Sequence, residues 1–212
     1  MVNCYKGLTK MMKLEYFVAM GFMAILLYEI NQGFSQTNDT QFTTYENKEL
    51  GISFQYPSNW LEMNEEFRKQ IPEFMRQALN GQNLTSNEKV YAEAVPVVYF
   101  ILPATNNPLG VTLVNYKFPS SISVDEFNQI GLKFLKASGY NANILENTNT
   151  TISNNLANKG VIKIDEGPAR GISTSITFFN EDDVISLQLG PSNNVAQSSV
   201  INKIIESIKI NN

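Results

Sequence analysis

The chain contains no histidine. A Ser-His-Asp triad, a histidine-ligated metal and a histidine general base are therefore excluded. Its one cysteine is Cys4. No intrachain disulfide, CxxC pair or thiolate zinc site can form from a single thiol. There is no long run of one charge, and the net charge is -4. An acidic chain without a basic face lacks what phosphate-backbone binding needs, so nucleic acid is not expected as a partner. No glycine-rich phosphate loop and no internal repeat is visible. Serine nucleophiles would have no partner base except lysine, and G-x-S-x-G does not occur. These absences argue against an enzyme.

What is present begins with an apolar run from Tyr16 to Tyr28, preceded by Lys6, Lys10 and Lys13. The run has the length of a signal-peptide core and falls short of the ~20 residues that a spanning helix needs. Gly33 and Ser35 place small residues at -3 and -1 of a cut after Ser35. The basic flank directs the body of the protein outside the cytoplasm. Residues 1–35 are thus expected as a signal peptide or a short membrane anchor. Met11 and Met12 offer starts that give a more compact signal than Met1 does. Residues 36–44 read as a polar linker, and the folded domain is expected over 45–212. Sequons stand at Asn38, Asn83 and Asn149, about as many as this composition yields by chance.

With 212 residues and 43% apolar side chains, the chain can build one sizeable core. Ile52 to Gln55 alternates apolar and polar, and Tyr56-Pro57 ends that strand. Trp60 to Met63 extends a short strand, and Asn64 caps a helix carrying Phe67, Ile71, Phe74, Met75 and Ala78 at helical spacing. Pro72 either kinks that helix or starts a second one. Strands are expected at about 95–102 and 111–118, joined by the Asn106–Gly110 turn. Ser123 and Glu126 spell a capping box ahead of the stripe Phe127, Ile130, Phe134 and Leu135. A strand meander follows over about 142–190. The last helix, about 194–208, carries Ile201, Ile204, Ile205 and Ile208 on one face. Strands in hairpins with helices between them predict an α+β fold, an antiparallel sheet sandwiched by helices, behind the N-terminal hydrophobic segment.

The opening Tyr45, Gly51-Ile52-Ser53-Phe54-Gln55-Tyr56-Pro57 and Trp60, with the closing Ile204-Ile205-Glu206-Ser207-Ile208, resembles the PsbP family. That family comprises an extrinsic photosystem II subunit and wider PsbP-like relatives. The resemblance covers roughly residues 42–210 in order of elements. It implies an antiparallel sheet between helices, and the export signal fits the uncharacterised branch. Plant members retain manganese and calcium partly through histidine, which this chain lacks, so no metal-site residue is carried over.

The remaining candidates are weak as chemistry. Glu181, Asp182 and Asp183 cluster oxygens of the kind calcium takes, but an acidic hairpin turn accounts for them without an ion. Asp165-Glu166-Gly167-Pro168 reads as turn chemistry. Asp125 and Glu126 are adjacent on a helix and point about 100° apart, so they do not form an acid pair. Lys133 and Lys136 are expected on a solvated helix side. Tyr56, Pro57 and Trp60 read as core before partner edge, and Tyr91, Tyr99 and Phe100 as sheet-face core. No catalytic, cofactor-binding or metal residue is assigned, and no cofactor beyond that calcium alternative.

Three functions follow. The first is a non-enzymatic, extracytoplasmic binding or assembly module, secreted or at the outer membrane surface with a protein partner there. The second is a carrier or sensor of a small apolar ligand lined by Phe67, Phe74, Met75, Phe127 and Phe134. The third is an atypical hydrolase built on serine and carboxylates.

Overall fold

A computed structural model describes residues 40–79, 81–102, 109–166, 169–180 and 183–211. The expected signal segment, its start sites, Cys4, the sequon at Asn38, most of the Asn106–Gly110 turn, Gly167-Pro168, Glu181 and Asp182 lie outside the described residues.

The chain opens with a hairpin, β1 (Phe42–Asn47) and β2 (Ile52–Pro57), followed by the two-residue β3 (Leu61–Glu62). Helices α1 (Glu65–Ala78) and α2 (Ser86–Glu93) come next, then β4 (Val98–Ile101) and β5 (Gly110–Lys117). Helix α3 (Val124–Ala137) leads into the meander β6 (Ala142–Ile152), β7 (Asn155–Ile164), β8 (Gly171–Asn180) and β9 (Asp183–Ser192). Helix α4 (Val195–Ser207) and β10 (Lys209–Ile210) close it. Every pairing is antiparallel. The large sheet runs β3-β4-β5-β9-β8-β7-β6, and a small one runs β1-β2-β10.

Period-two alternation divides the large sheet into two faces. One face contributes Phe100, Val111, Leu113, Ile176, Leu187 and Leu189 to a core shared with Ile52 and Phe54 of β2 and Ile201 and Ile204 of α4. The opposite face contributes Tyr99, Val114, Tyr116 and Val184, packed against Ile71 and Met75 of α1, Tyr91 of α2 and Phe127, Ile130 and Phe134 of α3. Helices thus cover both faces, the α+β sandwich that the hairpin and helix order predicts.

Four local details differ from expectation. Strand β1 starts at Phe42, so the polar stretch expected as linker to 44 ends at 41, and Tyr45 pairs with Phe54 rather than leading into a bare turn. Pro72 sits inside α1, which continues through it because Ile71, Pro72 and Met75 bury one face. Helix α2 occupies residues whose β-branched and aromatic content reads as the approach to a strand. Thr85 and Glu88 fix it with a full capping box, Glu88 N–H to Thr85 Oγ1 at 3.2 Å and Thr85 N–H to Glu88 Oε2 at 2.9 Å. Tyr91 is therefore a core residue of a helix, not of the sheet. At Ser123 half of the expected box forms: Glu126 N–H donates to Ser123 Oγ at 3.1 Å, while the Glu126 carboxylate takes Asn87 Nδ2 at 2.7 Å.

Candidate functional site

Helix α3 is where polar chemistry concentrates, on its inner and outer sides. Its inner side places Asn128 against the sheet and Gly131 against Tyr91 of α2, both buried. The strand residues beneath are mostly polar, in two rows. Thr112, Gln188, Ser175, Gly160 and Asn147 face one another across β5, β9, β8, β7 and β6. Val114, Ser186, Thr177, Asn158 and Asn149 form the next row.

Hydrogen bonds satisfy much of this seam. Asn128 Nδ2 donates to Asn147 Oδ1 at 3.0 Å and Asn158 Oδ1 at 3.3 Å. Asn158 Nδ2 donates to Asn147 Oδ1 at 2.8 Å and to the Thr148 carbonyl at 3.1 Å. Asn147 Nδ2 in turn reaches Asp125 Oδ1 at 2.8 Å. Thr177 and Ser186 share a bond of 3.1 Å, and Gln188 Nε2 donates to the Tyr116 hydroxyl at 3.1 Å. Asn158, 2% exposed, is held between α3 and β6, where water cannot replace its partners.

Two glycines let α3 come this close. A Cβ on Gly160 would stand 2.7 Å from Ser175 Oγ and 3.2 Å from Asn128 Oδ1. One on Gly131 would stand 3.0 Å from the Tyr91 hydroxyl. Tyr91 stacks on Tyr116 at 5.0 Å and 15°. Burial pushes the Tyr91 phenol up to about 12, although Tyr116 and Gln188 pull it partly back. Burial likewise raises Tyr116 well above the ordinary tyrosine value. Both phenols stay protonated at neutral pH, so neither serves as a base in the seam.

The outer side of α3 borders an open groove of ≈ 460 Å³ lined by Gln82, Gln129, Leu132, Lys133, Lys136 and Ala137. Lys133 is tied down, its Nζ 2.6 Å from Glu88 Oε1. Burial pushes the Glu88 carboxyl up, but the bonds from Lys133 and Thr85 outweigh it and hold the group below its usual value. Among the described residues Lys136 makes no ion pair, so the groove lining holds an unpaired ammonium together with the Gln82 and Gln129 amides and the apolar Leu132 and Ala137.

The residues singled out from sequence are scattered. Trp60 is buried at 6%, and Tyr56 is half-buried, stacked on Phe100 at 3.8 Å and 17°. Asp183 pairs with Lys117 at 2.6 Å, and Asp165 with Lys163 at 2.5 Å. Asp125 and Glu126 hold different asparagines, so they act separately. Among the described residues no group of three or more acidic or thiol side chains could hold a metal. Met75, Phe127 and Phe134 are buried in direct aromatic and aliphatic packing, and the groove lies outside α3 instead of among them. Ser86 to Lys89 spells S-x-x-K, the spacing in which a lysine activates a serine. Both side chains are exposed near the start of α2, and neither lines the groove beside α3.

The asparagine seam escaped the periodicity reading, because apolar spacing marks Phe127, Ile130 and Phe134 and passes over a buried amide. A signal was present: Asn128, Gly131 and Leu135 recur at i, i+3 and i+7, the inner line of the same helix.

No protein-family model matches the chain, and neither does any curated protein sequence. Solved structures do resemble it. The solution structure of cyanobacterial PsbP (CyanoP) from Synechocystis superposes with a TM-score of 0.52 at 11% identity, covering 85% of this chain and 98% of that one. A crystal structure from Bacteroides thetaiotaomicron gives a TM-score of 0.41 at 12% identity, covering 80% of this chain and 48% of that one. The chain has a PsbP-like fold, as its opening and closing elements imply. Identity this low fixes the fold alone.

Proposed function

We propose that this chain is a non-enzymatic binding or assembly module, exported and held at the outer face of the cell membrane or secreted, and that a protein partner docks across the outer side of α3. The observation that carries the reading is the groove. Its lining offers an unpaired Lys136 ammonium, the amides of Gln82 and Gln129, and the apolar side chains of Leu132 and Ala137. That combination suits a carboxylate-bearing peptide segment, which needs one cation, directional donors and some apolar contact. The helix presenting Gln129, Leu132, Lys136 and Ala137 is fixed from beneath by Asn128, so that part of the surface is pre-organised and loses little entropy on docking.

Export rests on the lysines and the apolar run at the N-terminus. The absence of histidine from the whole chain, and buried phenols that stay protonated, support a non-catalytic role.

Two measurements test this. A photo-cross-linking amino acid at Lys136, expressed in the native cells, should capture a discrete partner, while the same group at Lys203 on α4 should not. Equal labelling at both positions, or none at Lys136, would overturn the docking surface. An alkaline phosphatase fused after Thr44 should be active, since the enzyme matures only outside the cytoplasm. An inactive fusion would remove the export half of the reading.

A further inference from the structure

Strand β6 ends the seven-stranded sheet, with β7 on one side and, among the described residues, no strand on the other. Such an edge presents a row of unpaired N–H and C=O groups, and proteins usually blunt it with lysine, proline, bulges or a cover. Here the protection is confined to one end. A bulge separates Ile144 from Glu146, and the seven residues Glu146–Ile152 then run in unbroken register with β7. That stretch has no lysine and no proline, and its one charge is Glu146. Asn147, Thr148, Asn149 and Thr151 are exposed.

We propose that this edge pairs with the same edge of a second copy, joining two large sheets across a two-fold axis. Antiparallel pairing over the full bulge-free stretch fixes the register, because its middle residue, Asn149, then lies opposite itself. Thr148 falls opposite Thr150 of the partner subunit, a favourable cross-strand pair. Asn147 falls opposite Thr151 of the partner subunit, and Glu146 opposite Ile152 of the partner subunit. The two Glu146 carboxylates stand at opposite ends of the ladder, about 20 Å apart at ~3.3 Å per residue. No like charges meet. Leu145, 58% exposed at the bulge, lands at the partner's β6–β7 turn, where Leu156 is 72% exposed. A strand polar on both faces specifies no register through burial. The bulge and the turn supply it here, and a closed two-fold limits growth to a dimer.

The test uses the full chain in membranes, with Cys4→Ser so that no other thiol is present. Asn149→Cys places the introduced thiols across the axis, within the short Cα separation that a disulfide needs. Mild oxidation should give about tenfold more covalent dimer than Glu73→Cys on exposed α1. Adding Thr148→Lys and Thr150→Lys sets lysines opposite each other and should abolish that dimer. Thr148 is exposed and Thr150 half-buried on the edge strand, and neither belongs to a core, so a cooperative urea transition should confirm that the lysine variant still folds. Dimer no more abundant than in the Glu73→Cys control overturns the proposal. So does dimer that persists with the lysines, or an adduct of another mass, which would assign the edge to a foreign strand.

Discussion

Replacing Asn158 with alanine should be among the most costly single changes in the domain, although Asn158 lines no groove and lies on β7, one strand in from the edge. Its amide takes part in three hydrogen bonds, at 2.8, 3.1 and 3.3 Å. A typical buried bond contributes about 1 kcal/mol net, and a partner left without water costs about 1–3 kcal/mol. Truncation frees the Thr148 carbonyl and removes one of the two acceptors of Asn128. The amide's own desolvation is recovered, which offsets part of the loss. The balance is about 2–4 kcal/mol of destabilisation. Asn147 makes comparable bonds but is exposed, so water can substitute for it, and Asn147→Ala should cost about 1 kcal/mol. Urea unfolding would read both as a shift in midpoint with an unchanged slope. A double-mutant cycle between Asn128→Ala and Asn158→Ala should show coupling of about 1 kcal/mol, because each change already breaks the shared bond. The reasoning fails if Asn158→Ala costs less than about 0.5 kcal/mol, the range of an ordinary surface substitution. It fails equally if the two changes add without coupling.

Gly160→Ala should destabilise by about 1–3 kcal/mol through overpacking against Ser175 and Asn128, and Ser175→Ala should relieve part of that cost by removing the nearer atom. Equal thermal midpoints for Gly160→Ala with and without Ser175→Ala would contradict the contact. Alkaline stability should fall as pH rises above about 10, because unfolded tyrosines ionise there while Tyr91 and Tyr140 keep their protons to about 12. The unfolded chain then binds fewer protons than the fold, so the slope is negative, about 1.4 kcal/mol per pH unit for each such tyrosine. Tyr91→Phe should make that slope shallower by one tyrosine's share in pH-dependent urea unfolding, and an unchanged slope would refute the burial.

The fold was legible because its elements obey simple rules. Ile201, Ile204 and Ile205 announce a helix by spacing, although it ends at Ser207 and Ile208 is already extended, and the β6–β9 meander is punctuated by Asn154-Asn155 and other turn residues. The errors also have physical causes. Val90 and Tyr91 look like strand residues, and propensity alone would place them in one. The capping box at Thr85 and Glu88, together with the aromatic neighbours Tyr116, Phe127 and Phe134, makes them helical instead. Tertiary packing outweighed a local preference worth a few tenths of a kcal/mol per residue. Pro72 shows the same ordering, since the helix continues where a buried face rewards it.

The surface and the seam were far less legible, and for a different reason. Apolar periodicity reports which side chains leave water, whereas Asn128, Asn147 and Asn158 became a unit through contacts between α3, β6 and β7 that no local window contains. Amides in a sheet interior are expensive unless every partner arrives with the right geometry. A helix held by such groups has fewer acceptable positions than one held by aliphatic packing alone, because a small slide breaks several bonds at once. That requirement ties the inside of α3 to its outside. Lys136 and Gln129 sit on the same rigid helix as Asn128, so a change in the seam should alter docking at the groove without touching a groove residue. Asn128→Ala should therefore weaken capture through Lys136 even in the fraction that remains folded, whereas a groove that merely exposes a flexible lysine would be indifferent to it.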